Sequence, residues 1–184
     1  MQTTFPGTTI EVIRLEKGSS KLLFDGIFAT GGITLSQVSV MTGLEPYLIQ
    51  NWVKRGFVSS PVKRTYSREQ FARIVIINML RESLKIERIC NLIHVIGGRA
   101  GDAGDDLISD DELYHRYVDM LAESGFSPLE PESVTLAAQS AAADFDEPVA
   151  GARRQLVAIL QIMLYAHTAS RLKDRANELV FLLE

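Results

Sequence analysis

Two short runs of this 184-residue chain carry side chains suited to a charged polymer. Gln50 and Asn51 each present a donor and an acceptor on one amide, the pairing that reads adenine in a major groove. Lys54, Arg55, Lys63 and Arg64 supply cations that neutralise phosphate. Tyr47 and Tyr66 add hydroxyls that can hold a sugar-phosphate backbone. Together these groups bind and orient a duplex; none of them is arranged to break a bond. To act together they must share one surface, and the sequence around them predicts how they come to do so.

Thr34 and Gln37 have the spacing of a capping box, which opens a helix by satisfying two orphan N–H groups. Leu35, Val38 and Met41 then recur at helical spacing. Gly43 ends that helix, Leu44 plugs the turn, and Pro46 suits the first turn of the next helix. Ile49, Trp52 and Val53 form the apolar face of the second helix. Glu45, Tyr47, Gln50, Asn51, Lys54 and Arg55 are left on the other side, and Gly56 closes it. A short basic excursion, Lys63-Arg64-Thr65-Tyr66, follows. Ser67 and Gln70 form a second capping box, opening a helix with Phe71, Ile74, Ile77 and Leu80 on one side. The order is helix, tight turn, helix, wing, helix, and its expected partner is double-stranded DNA.

This run resembles the N-terminal domain of the MerR family of bacterial transcription regulators, whose second helix reads Thr-Leu-Arg-Tyr-Tyr-Glu-x-x-Gly. Ile49, Trp52 and Gly56 match it, Lys63 to Ser67 resemble the end of the wing, and Leu84 to Ile89 resemble the start of the following helix. Gln50 and Asn51 depart from it, standing where the family has arginine and tyrosine. Most of the chain also resembles an uncharacterised bacterial family of MerR-like proteins, with Ile49-Gln50-Asn51-Trp52-Val53-Lys54-Arg55-Gly56 and Asp105-Asp106-Leu107-Ile108-Ser109 as typical strings. The resemblance implies an all-α fold with minor β structure in a wing, a winged helix-turn-helix, and dimerisation through C-terminal helices.

The net charge of −4 is unevenly spread. Residues 31–98 hold nine Lys and Arg against four Asp and Glu, whereas residues 99–184 hold seven against sixteen. A basic module joined to an acidic one is what a chain carries when one half meets phosphate. The expected domains are therefore 1–98, an arm and DNA-binding module, and 99–184, an acidic helical region for dimerisation or effector binding. Gly97 to Gly104 form the linker, lacking the lysine of a phosphate loop. The hydrophobic fraction of 46% fits a globular chain,. A lone Cys90, the lack of a signal peptide, and an apolar run of only Leu156 to Ala166 imply a soluble cytoplasmic protein.

Pro6-Gly7 marks a turn, Ile10 to Leu15 fit a short strand or a loose arm, and Lys21 to Ala29 fit a short helix. Ser109 and Glu112 have the spacing of a third capping box, opening a helix over 110–123; residues 131–143 read as weakly helical. Asp102, Asp105, Asp106, Asp110, Asp111 and Glu112 invite a metal, but a calcium loop here would need glycine at Leu107 and glutamate at Leu113. Helix capping accounts for them instead, and no metal or cofactor is expected. In the last helix Ala158, Ile162, Tyr165, Ala169, Leu172, Ala176, Leu179 and Leu183 alternate spacings of four and three, a heptad seam. The seam from Ile162 to Leu183 is the expected homodimer contact; packing within one chain is the alternative. Tyr114, Tyr117, Phe126 and Tyr165 fit either an aromatic effector pocket or ordinary core.

A dimeric transcription regulator is the function these features imply. The alternative is an adaptor that uses the helix pair and the acidic helices to dock proteins. His94, His115 and His167 lie on separate predicted helices among apolar residues, with no catalytic spacing, so no enzyme is expected.

Overall fold

The computed structural model describes residues 3–97, 108–123 and 130–183. The chain is mainly helical, with two small two-stranded sheets. In order these are β1 (Thr3–Thr4), β2 (Glu11–Val12), α1 (Ser19–Ile27), β3 (Ile33–Thr34), α2 (Leu35–Thr42), α3 (Pro46–Lys54), β4 (Thr65–Tyr66), α4 (Arg68–Leu80), α5 (Ile86–Gly97), α6 (Asp110–Ala122), α7 (Pro131–Ala141) and α8 (Ala152–Phe181). No helix among the described residues is long and apolar enough to cross a membrane.

Helix α4 is the axle. Every side chain from Phe71 to Ile77 is buried, as a helix apolar all round must be. The one-sided stripe expected from the sequence is thus too narrow, because α2, α5, α6 and α8 pack around α4. Both capping boxes on either side of the module form in full: Thr34 with Gln37, and Ser67 with Gln70. The third forms by half. Ser109 caps the Glu112 N–H at 3.4 Å, but the Glu112 carboxylate turns to Arg116, 2.8 Å away.

That turn belongs to a pattern. Three consecutive acids at the start of α6 each meet a different arginine: Asp110 meets Arg73 at 2.6 Å, Asp111 meets Arg68 at 3.0 Å, and Glu112 meets Arg116. Arg73 and Asp110 are both under a tenth exposed. A buried pair of this kind costs several kcal/mol if one partner is lost. Arg68 also reaches Asp25 of α1 at 2.6 Å, holding that carboxyl below the usual carboxylate range through hydrogen bond and charge. Asp110 and Asp111 are therefore an interhelical clasp between α6 and α4, while Glu112 pairs within α6; Asp102, Asp105 and Asp106 lie outside the described residues. The expected division at 98/99 separates residues that share one core, since α6 packs on both α4 and α1.

The N-terminal arm is ordered by β1 pairing with β2. Gly7, at a φ of 74°, backs onto the Val75 carbonyl so closely that a Cβ would overlap it, and only glycine fits such an approach. Asn78 Nδ2 donates to the carbonyls of Gly7 at 3.0 Å and Thr42 at 2.9 Å. The arm is thereby tied to the end of α2.

Helix α8 runs for 30 residues, about 45 Å at the standard rise. Its first half buries Leu156, Ile159, Leu160, Met163 and Leu164 against the body. From Arg171 to Leu183 every residue is exposed.

Candidate nucleic-acid interface

The α2–α3 turn is set by short-range bonds. Gly43 takes a φ of 68°, Ser39 Oγ donates to the Leu44 carbonyl at 2.6 Å, and Leu44 is buried. Ile49 and Trp52 then lock α3 onto the core. A helix fixed on that side presents the opposite one: Tyr47, Gln50, Asn51 and Lys54 are all exposed. Sequence spacing placed these four on one face, and the structure keeps them there.

Arg55 and Tyr66 differ from expectation. Arg55 is exposed but engaged: its guanidinium lies 4.4 Å from the Phe57 ring and 2.8 Å from Glu87. Glu87 is held below its ordinary range, first by backbone hydrogen bonding at the start of α5 and then by Arg55. Tyr66 is buried at 3% exposure, paired with Ile33 across the β3–β4 ladder. It cannot touch a duplex, and its place in the proposed contact set is corrected. Alternation along a strand turns Tyr66 inward once Thr65 faces out, and burial raises its hydroxyl pKa.

The two cations ahead of it sit at a hairpin tip. Val62 and Thr65 exchange backbone hydrogen bonds at 2.9 and 3.1 Å, and Lys63 and Arg64 between them take φ values of 51° and 65°. This is a two-residue turn with both residues left-handed, normally given to Asn-Gly. For other L-residues that conformation costs about 1 kcal/mol or more each. Gln70 braces the approach to the turn by donating to the Ser59 and Ser60 carbonyls. Lys54, Lys63 and Arg64 carry no ion pair among the described residues. Lys85 and Arg88 were missed: both are exposed and flank Glu87 where α5 meets Arg55. Only the Arg55–Glu87 contact, 32 residues apart, reveals them.

The expected seam on α8 is bare throughout. Ile162, Tyr165, Leu172, Leu179 and Leu183 are 41% to 89% exposed, and Ala158, Ala169 and Ala176 are exposed with them. Tyr165 is thus solvent-facing whereas Tyr114 and Tyr117 are fully buried; Phe126 lies outside the described residues. Tyr114 stacks on Phe24 at 5.4 Å and donates to the Pro6 carbonyl.

His115 and His167 are held by side-chain contacts within the core, and His94 is exposed. Ser20 Oγ lies 2.9 Å from His115 Nδ1, a contact invisible in the sequence. Ser20 has no exposed surface, and the other ring nitrogen faces Arg68 at 3.3 Å rather than a carboxylate. His167 Nδ1 meets the Tyr117 hydroxyl at 2.7 Å, and burial pushes its pKa down to about 4. Cys90 is buried, with its thiol raised to about 11 by desolvation.

Fold and surface together define a mainly helical chain with one amide-and-cation helix face and one bare apolar helix end. The chain belongs to the family described as Domain of unknown function (DUF1836), which matches residues 24–117, from α1 into α6. This corrects the resemblance to MerR-type regulators, since no MerR or helix-turn-helix family is matched. The positions shared with MerR-type regulators are a cap, turn glycines and apolar spacings that any tight helix pair needs, whereas Gln50 and Asn51 depart from that pattern. No curated protein and no solved structure matches the chain.

Proposed function

We propose that this protein binds double-stranded DNA in a sequence-preferring manner and regulates transcription, as a homodimer joined through α8. In this reading α2 and α3 are a helix-turn-helix and the 62–66 hairpin is its wing. Helix α3 enters the major groove, with Gln50 and Asn51 at the base edges. Tyr47, Lys54, Lys63 and Arg64 hold the backbone, Arg55 shares its charge with Glu87, and Lys85 and Arg88 extend the basic rim. Two-fold symmetry through α8 sets half-sites about one helical turn apart, or a multiple of it.

The observation that supports this most is the state of the charges. Lys54, Lys63 and Arg64 stand exposed beside an exposed amide pair, with no ion pair among the described residues, while Asp110, Asp111 and Glu112 are each paired with an arginine.

Gel-shift titration against a random duplex pool tests it. Arg64→Ala is expected to weaken binding to all sequences alike and to lower the salt slope by about one per chain. Asn51→Ala is expected to relax preference at one base pair, worth about 1–3 kcal/mol. If neither change alters affinity for any duplex, and retention on heparin does not fall with salt, the protein-docking alternative replaces it.

A further inference from the structure

Beyond residue 98 the chain carries a net charge of −9, yet one cavity against α8 has a cationic rim. It has a volume of about 490 Å³ and lies between the N-terminal arm, the end of α6 and α8, where α8 leaves the body. Leu15, Leu121 and Leu164 form an apolar wall, Arg171 and Arg175 stand at the rim, and no carboxylate lines it among the described residues. Arg171 has no ion pair among the described residues, and Arg175 holds an exposed one, 2.8 Å from Glu178. The His167 ring lines the same space. With Nδ1 taken by the Tyr117 hydroxyl, its Nε2 is the nitrogen left for a ligand.

Ligand sites are concave and mostly apolar, with a few polar groups converging on one side. This cavity has that form, and its polar side is cationic. We propose that it binds an amphipathic organic anion, an aliphatic carboxylate whose head meets Arg171 and Arg175 and whose chain lies on Leu15, Leu121 and Leu164. Carboxylate on arginine is the paired geometry that guanidinium favours. The arm that walls the cavity is also the element bonded, through Asn78, to the last residue of α2.

Calorimetric titration of the full chain with sodium decanoate, below its micellar range and without nucleic acid, tests the site. One molecule is expected to bind per chain. Arg171→Glu is expected to weaken binding at least about tenfold, and decanol to bind at least about tenfold more weakly than decanoate. Arg171 is exposed, so the variant should keep its far-UV spectrum. Three results overturn the proposal: no decanoate binding, equal affinity for decanol, or an affinity indifferent to Arg171→Glu. Inorganic phosphate binding as tightly as decanoate also overturns it, since the apolar wall would then contribute nothing. Because no DNA is present, the outcome is independent of the DNA-binding test.

Discussion

Two exposed surfaces of this chain differ in kind. On α3 and the 62–66 hairpin, amides, hydroxyls and cations face solvent, where water satisfies them at no cost. On the second half of α8, Leu179, Val180, Phe181, Leu182 and Leu183 stand 48% to 89% exposed in one unbroken run. Single exposed apolar residues are ordinary, but a continuous patch of this kind is rare on a monomer. Water satisfies the first surface as it stands; the second leaves apolar area in contact with water. The energetic case for self-association is thus stronger than that for DNA, although the chemical case for specificity lies with α3.

The largest effect should come from the bare apolar surface of α8. Leu172→Glu with Leu179→Glu places four charges across a two-fold α8 contact and removes four apolar side chains from it. At about 1.5 kcal/mol or more for each lost burial, the dimer should weaken by at least about a thousandfold. Sedimentation equilibrium would record a monomer at concentrations where the parent is dimeric. A parent that is itself monomeric at high concentration would break the comparison, because the apolar surface of α8 would then drive no association.

Next is the joint between the two regions. Arg73→Ala leaves Asp110 buried without its cation, and a loss of about 3–5 kcal/mol is expected in urea unfolding. The double variant Arg73→Met, Asp110→Leu should recover much of that loss, since an apolar pair needs no solvation. A small loss in the single variant would mean that α6 can swing off α4, so that the basic and acidic halves respond independently.

A smaller effect depends on pH. His167 has its folded pKa lowered by burial to about 4, from 6.5. Between those values the unfolded chain binds a proton that the folded chain refuses. Stability is therefore full above pH 6.5 and falls as pH drops toward 4, by about 2 kcal/mol between pH 7 and 5. His115, lowered chiefly by desolvation, adds in the same direction. His167→Gln keeps an acceptor for the Tyr117 hydroxyl and cannot titrate. Its thermal midpoint should fall less over that range than the parent's.

Legibility in the sequence followed the range of the interaction. Capping boxes at Thr34 and Ser67, the glycine turn at Gly43 and the outward face of α3 depend on residues within four positions of one another, and all form. The α8 stripe was equally legible, because heptad spacing is local. The Glu112–Arg116 pair could have been read too, at i and i+4, but the capping pattern drew Glu112 to Ser109. What escaped was long-range. Arg68 to Asp111 and Arg73 to Asp110 join residues about 40 apart, and no spacing rule announces them. Tyr66 was misassigned because a basic neighbourhood suggested a surface, while strand alternation decided its side.

The smallest effect is the most discriminating test of α3's neighbourhood. Lys63 and Arg64 hold left-handed backbone that neither residue favours, and strain of this sort persists where something else depends on it. Lys63→Asn with Arg64→Gly gives the turn the residues it prefers. Relief of strain, less the entropy glycine costs, should add about 1 kcal/mol of stability, or about 2–4 °C in Tm. The same change removes two cations, so the salt slope of DNA binding should fall by about two per chain. A variant that gains stability and loses DNA affinity would tie the strain to the duplex. A variant that gains stability and binds as before would leave the hairpin outside the interface, with α3 carrying it alone.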